Sequence, residues 1–248
     1  MALRIFLHAI RMLLAHFRVA LQISAALYIG SLIIYGIGAY VALQMIASGG
    51  RGAASWLAII TVVLPSLIYV WIAVAWHRFV LTDEVPHSAV PTPPRDRLLA
   101  YAGRGLLLLL LLGIFSVGIA LATMLVSTAT NPSQWALVPL IVVAVVLIAL
   151  ITSRLSPVFP ATAIGQPISF GQVWEATSGA TGTLLLVTLI TAIAAFIIDL
   201  PSALLVHLPG GAFLNLVWGA IASWIKMMVG ISILTTVYGV YIEKRTID

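Results

Sequence analysis

The sequence has very little charge and no cysteine. Charged residues make up 8% of its 248 residues and apolar residues 62%, whereas a typical soluble domain has about 25% charged and about 45–50% apolar residues. So few charges exclude an ordinary soluble globular protein, because its surface would expose apolar side chains to water. The lack of cysteine excludes disulfides, thiolate metal sites and thiol catalysis. The composition therefore predicts an integral membrane protein.

Six apolar segments are long enough to span a membrane, which takes about 20 residues. They cover approximately residues 19–47, 55–79, 98–126, 132–154, 181–200 and 212–242. The fourth is predicted to open at Asn131-Pro132, an N-cap followed by proline at the first helical position, and the fifth to be broken by Pro201. We therefore predict an all-α fold, a polytopic transmembrane bundle of six helices that forms a single membrane-embedded domain over residues 1–248.

Residues 1–18 do not form a secretory signal, because arginines interrupt their apolar run. At 100° per residue, the polar side chains of this region fall on one narrow stripe, and apolar side chains cover most of the rest. The stripe consists of Arg4, His8, Arg11, Arg18 and Gln22. This pattern predicts a short interfacial amphipathic N-terminal helix. The alternative is that these residues extend the first spanning helix into the cytoplasm.

The basic residues indicate the orientation. If both termini are cytoplasmic, ten basic residues lie on that side, and Arg51 lies on the other. The ten are Arg4, Arg11, Arg18, Arg78, Arg95, Arg97, Arg104, Arg154, Lys244 and Arg245. We therefore predict a multi-pass protein of the bacterial cytoplasmic (inner) membrane with both termini cytoplasmic. No basic cluster of the kind that binds nucleic acid is present.

Residues 155–169 are weakly polar and contain three prolines, so this connection could dip into the membrane interface. The next residues, 169–172, have the spacing of a capping box. A helix that starts there and reaches Leu200 would be over 30 residues long, which exceeds the hydrocarbon core. Its first turns, with Trp174 and Glu175, are therefore expected in or outside the headgroups.

Prolines and small residues also occur inside the predicted spans. Pro65 and Pro139 are expected to kink the second and fourth spans. Small residues in the segments 113–118 and 178–182 would let helix backbones approach closely. These features suit a flexible pathway, or equally the ordinary packing of membrane helices.

Lys226 and Asp199 form the candidate intramembrane polar site. Lys226 is placed inside the sixth span, and Asp199 ends the fifth, so an antiparallel arrangement would let the two side chains pair. An ionisable group in the hydrocarbon core is costly and therefore marks a functional candidate. The functional interpretation is a gate or a proton or anion site. The alternative is a pair that sets helix register, or a lysine that snorkels.

Six arginines are candidate lipid-headgroup contacts on the cytoplasmic side. They are Arg4, Arg11, Arg18, Arg78, Arg104 and Arg154. Two interfacial ion pairs are also possible, Arg154 with Glu175 and Arg78 with Glu84. A basic ring of this kind could bind lipid phosphate or an anionic solute, or it could act simply as positive-inside anchors.

The sequence predicts no cofactor, no metal and no enzymatic activity. It contains no His-x-x-x-His spacing, and its one Glu-x-x-His, Glu84 to His87, includes Pro86 and lies in the connection after the second span, so no helix face is expected to offer two metal ligands one turn apart. An intramembrane aspartyl protease needs two carboxylates in the membrane, and Asp199 is the one carboxylate inside a predicted span.

Three segments carry a family resemblance. They are the exit Trp76-His77-Arg78-Phe79 from the second span, the proline-broken residues 154–160, and the run 170–182 into the fifth span. In these the chain resembles uncharacterised six-span membrane proteins common in alphaproteobacteria, and also the membrane domain attached to some bacterial glycerophosphodiesterases. The resemblance implies a cytoplasmic-membrane location and leaves the activity unknown. The metal-binding phosphodiesterase domain has no counterpart in this sequence.

Three function classes fit these observations. The first is a non-catalytic scaffold, assembly factor or accessory subunit, whose partner is another protein or a second copy within the membrane. The second is a small transporter or channel that uses Lys226 and Asp199. The third is a lipid-binding or lipid-handling protein, whose partners are membrane lipids.

Overall fold

A computed structural model describes residues 1–85, 88, 90–130 and 137–247. This part of the chain is all-α and contains no strand, as predicted. Its helices are α1 (Ala2–Ala15), α2 (Phe17–Ala47), α3 (Arg51–Thr82), α4 (Arg95–Thr130), α5 (Val138–Leu155), α6 (Val158–Ile164), α7 (Phe170–Ala176), α8 (Thr181–Leu205) and α9 (Gly211–Tyr241).

Six helical stretches in the described residues are long and apolar enough to cross a membrane. They are Phe17–Ala47, Gly52–Thr82, Arg95–Thr128, Val138–Ile164, Ser178–Leu205 and Gly211–Tyr241. They overlap the six predicted spans, although the fourth continues through α6 into the residues 155–169 that were predicted to form a connection. The chain is accordingly a multi-pass integral membrane protein. The predicted start of the fourth span at Asn131-Pro132 lies outside the described residues.

Two of the predicted proline effects are wrong. Pro139 lies in the first turn of α5 and not inside the span; there its missing N–H has no helical partner to lose. Pro201 does not break its helix, since α8 continues to Leu205. This helix ends only one turn later, and the indole Nε1 of Trp218 donates to the carbonyl of Ile198 beside the proline at 3.0 Å. Pro65 lies inside α3, as expected.

The predicted capping box is confirmed, but the long helix after it is wrong. Gln172 N donates to the Ser169 hydroxyl, and Ser169 N donates to the Gln172 side chain. The helix α7 then ends at Ala176, and a 3-10 turn at Ser178–Ala180 precedes α8. Buried Thr177 donates its hydroxyl to the carbonyl of Val173 at 2.8 Å. The carbonyl of Trp174 accepts from Arg154 of α5, whereas in a continuing helix it would accept from the N–H of residue 178.

The core lies towards one end of the bundle. We call this the termini end, because α2 begins there and α9 ends there. Runs of buried residues occupy 72–77 in α3 and 235–239 in α9, both close to that end. The helix α6 lies here as well, with five of its seven residues buried, and it packs against α3 and α4. The proline-containing connection after the fourth span is thus a covered element.

The helix α1 is a separate amphipathic helix, as predicted. His16 interrupts the chain between α1 and α2 with a non-helical φ of −112° and ψ of 29°. The apolar face of α1 contributes Ile5 and Ala9, both fully buried, to a cluster with Leu184 of α8 and Val237 of α9. This face is therefore covered by protein, and the arginine stripe on the other side is exposed.

Candidate functional site

Lys226 and Asp199 meet in the structure. Lys226 lies at the midpoint of α9, and Asp199 lies about one and a half turns before the end of α8. The Lys226 Nζ donates to both carboxylate oxygens of Asp199, at 2.6 and 2.8 Å. The side chains are 32% and 49% exposed, so the chain itself covers only part of the pair. Lipid, water or a neighbouring molecule covers the rest.

The pair supplies a link between two neighbouring helices without a net charge. It joins α8 to α9 close to the Trp218–Ile198 hydrogen bond. Both contacts lie in the half of the bundle away from the termini end. That half has fewer buried residues. The geometry therefore suits a contact that holds two helices in register, and the same two groups could also exchange a proton or an ion.

A buried polar cluster at the termini end was not identified from the sequence. His77 of α3 is fully buried between Tyr101 of α4 and Thr235 of α9. Thr235 donates its hydroxyl proton to the carbonyl of Ile231, so it accepts from His77 Nδ1 at 2.8 Å. The His77 Nε2 then accepts from the Tyr101 hydroxyl at 3.3 Å. This cluster joins three helices. The sequence feature that could have revealed it is the position of His77 among the apolar residues of a predicted span.

The six candidate headgroup arginines fall into two groups. Arg4, Arg11 and Arg18 are exposed on α1 and at the start of α2, which is compatible with headgroup contact. Arg78 bonds within the chain: its Nε donates to Glu84 at 2.7 Å, the pair expected from the sequence, and its Nη1 donates to the carbonyl of Ala163 at 3.1 Å.

Arg104 and Arg154 also bond to the segment between α6 and α8. The Arg104 Nη1 donates to the carbonyl of Ile168 at 3.0 Å. Arg154 is only 7% exposed, and its guanidinium lies 3.6 Å from the centre of the Trp174 ring. It donates to the Trp174 carbonyl and to the Thr177 hydroxyl. In the described residues these are its partners, in place of the expected Glu175, and its burial leaves no room for a headgroup.

Together with α5, the neighbours α8 and α9 form an open groove of 550 Å³. We call it the α5–α8–α9 groove. Its floor includes the buried residues Leu184, Val187 and Val237. Its rim includes Thr152 of α5 and Ala192 of α8. Sequence reasoning did not identify this groove, because it depends on how three helices diverge.

No group of three or more histidine or acidic side chains able to hold a metal ion occurs in the part of the chain that the structure describes. The chain was compared with known protein families, with curated protein sequences and with solved structures, and none of the three comparisons found a match.

Proposed function

We propose that this integral membrane protein is a non-catalytic scaffold or accessory subunit of a membrane complex, and that α4 binds the partner. The observation that carries the proposal is the exposure of α4. In its most apolar stretch 6% of the residues are buried, against 11–28% in the other five spans. The helix α4 thus packs against its neighbours at the termini end, and away from that end the described part of the chain leaves it largely uncovered.

One face of α4 has the composition of a helix–helix interface. Gly113, Ser116, Ala120 and Thr123 recur at intervals of three and four residues, so they share one face. A Cβ placed on Gly113 would meet no atom within 4 Å. Small residues at such intervals let the backbone of a second helix approach closely. We call this face the α4 stripe.

The charged groups support a structural role. Arg78 donates to a carbonyl of α6, and Arg104 and Arg154 donate to carbonyls of the segment between α6 and α8. Lys226 is paired with Asp199. Each of these groups holds two elements of the chain together. This use of charge favours a scaffold over an enzyme.

Cross-linking from the α4 stripe tests the proposal. Because the chain has no cysteine, Ser116→Cys introduces a single thiol for a photoreactive label. We expect illumination of native membranes to give a discrete protein adduct from position 116. The matched control is Leu125→Cys, which lies on the opposite face of α4 and is 69% exposed. Lipid adducts alone from both positions would overturn the proposal, and the mass of the adduct distinguishes a second copy from another protein.

The location and the family are also proposals. We place both termini in the cytoplasm and the protein in a bacterial inner membrane, on the strength of the basic residues at the termini end, where Arg78 and Arg154 lie near helix ends. Membership of the six-span alphaproteobacterial family stays a prediction from the sequence.

Transport is the second candidate, and the Lys226–Asp199 contact is the observation that favours it. Paired charges within a membrane commonly belong to ion or proton paths. This candidate predicts that liposomes with the wild-type protein conduct protons or chloride faster than empty liposomes, and that Lys226→Met removes this flux while Lys226→Arg keeps it. Equal flux through wild type and Lys226→Met would eliminate it.

A further inference from the structure

The α5–α8–α9 groove has the dimensions of a hydrocarbon chain. Along α8 its lining extends from Leu184 to Ala195, which is about 16 Å at 1.5 Å per residue. A volume of 550 Å³ over that length gives a mean cross-section of at least roughly 34 Å². An extended methylene chain needs roughly 20 Å², given carbon contacts of about 4 Å. The groove therefore admits a lipid chain along its whole length.

The two ends of the groove differ in polarity, and Thr188 and Thr191 add hydroxyls between the ends. The hydroxyls of Ser153 and Ser156 lie at its termini end. Ala195 and Gly230 line its other end, and the Asp199–Lys226 pair follows one helical turn further on. Because Asp199 already neutralises Lys226, that end offers no net charge to a headgroup. A polar headgroup is thus expected at the serine end.

The serine hydroxyls also restrict the chemistry of the headgroup. Ser153 donates its proton to the carbonyl of Leu150 at 3.1 Å, and Ser156 donates to the carbonyl of Ser153 at 2.9 Å. Their oxygens are left as acceptors. They favour a headgroup with N–H or O–H donors, such as phosphatidylethanolamine or phosphatidylglycerol, over choline, which has none.

We propose that this groove holds one acyl chain of a donor-bearing glycerophospholipid from the leaflet at the termini end. The headgroup lies beside Ser153 and Ser156, and the terminal methyl group lies near Gly230. The proposal goes beyond the scaffold function and is independent of it, because the α4 stripe lies on a helix that does not line the groove.

Two leucine substitutions in α9 provide a matched test of the site. A Cβ on Gly230 or on Gly219 meets no atom within 4 Å, so each position accepts a side chain without a clash. Gly230→Leu fills the groove, whereas Gly219→Leu makes the same chemical change outside its lining. If Gly230→Leu does not fold, mapping of the adducts on the wild-type protein still decides the question.

The probe is phosphatidylethanolamine with a photoreactive group on its acyl chain, incorporated with the purified protein in phosphatidylcholine vesicles. We expect saturable adducts on groove residues such as Ala192 and Leu234. We expect Gly230→Leu to lower them severalfold, because the leucine side chain occupies the end of the groove and removes packing contacts with the end of the acyl chain, and Gly219→Leu to leave them unchanged. Excess unlabelled phosphatidylethanolamine should compete, and excess phosphatidylcholine should not.

Three results would overturn this proposal. Adducts spread evenly over all exposed helix faces would show surrounding lipid and no site. Equal competition by both lipids would refute the headgroup assignment. A protein adduct formed by a photoreactive label on Ala192→Cys in native membranes would show that a polypeptide occupies the groove. Each of these results leaves the cross-linking outcome at the α4 stripe unaffected.

Discussion

Lys226→Met is expected to destabilise the protein more than the double change Lys226→Met with Asp199→Asn. In the wild type, the ammonium donates to both carboxylate oxygens. Methionine keeps the length of the side chain but leaves Asp199 without its cation. A lone carboxylate costs about 2.5–3.5 kcal/mol at the centre of a spanning helix, and less at the position of Asp199 near the end of α8. The double change removes that charge. Unfolding by graded denaturant in lipid bicelles measures the free energies.

Two controls make this comparison decisive. Lys226→Arg keeps the charge, and its free energy of unfolding should be close to that of the wild type. Lys244→Met removes a lysine after the end of α9, where the side chain is exposed, and should change stability by less than about 0.5 kcal/mol. If Lys226→Met with Asp199→Asn is less stable than Lys226→Met alone, then Lys226 does not stabilise the protein by neutralising Asp199.

Arg154→Ala should release α7 from α5. The guanidinium is buried, stacks on Trp174 and donates to the Trp174 carbonyl and the Thr177 hydroxyl. Its removal leaves buried polar atoms without a donor and opens a space beside the indole. We expect a loss of about 2–4 kcal/mol, together with faster hydrogen exchange at residues 170–177. Mass spectrometry of peptic fragments follows that exchange.

The matched control for Arg154→Ala is Arg18→Ala, an exposed arginine on a spanning helix. It should be nearly neutral, because exposed substitutions rarely exceed about 0.5 kcal/mol. The free energy of unfolding of Arg154→Lys should lie between those of the wild type and Arg154→Ala, because lysine keeps the charge but loses the planar contact with the indole. Unchanged hydrogen exchange at residues 170–177 in Arg154→Ala would show that the contacts of Arg154 with Trp174 and Thr177 do not hold α7 against α5.

Local signals in the sequence predicted much of this fold. The six spans follow from apolar length, and the start of α7 follows from the Ser169–Gln172 capping box, since both depend on residues close in sequence. The Lys226–Asp199 contact was also predictable, because α8 and α9 are consecutive and short connections make such helices antiparallel neighbours.

Features that depend on distant contacts were predicted incorrectly or missed. Glu175 looked like the partner of Arg154, but the guanidinium instead stacks on the neighbouring indole, because burial rewards a planar contact. The break at Thr177 and the covered position of α6 likewise depend on helices far away in sequence. The α5–α8–α9 groove arises from the relative positions of three helices, which hydropathy does not encode.

The packing of α1 has a consequence for biosynthesis. Its apolar face is covered by α8 and α9, which the ribosome makes roughly 170 to 230 residues later. At about 5–20 residues per second, α1 waits on the order of 10 to 45 s for these partners. During this interval α1 can bind to the membrane surface, because it is amphipathic. Docking of α1 is therefore a late event, and it reports that α8 and α9 have been inserted.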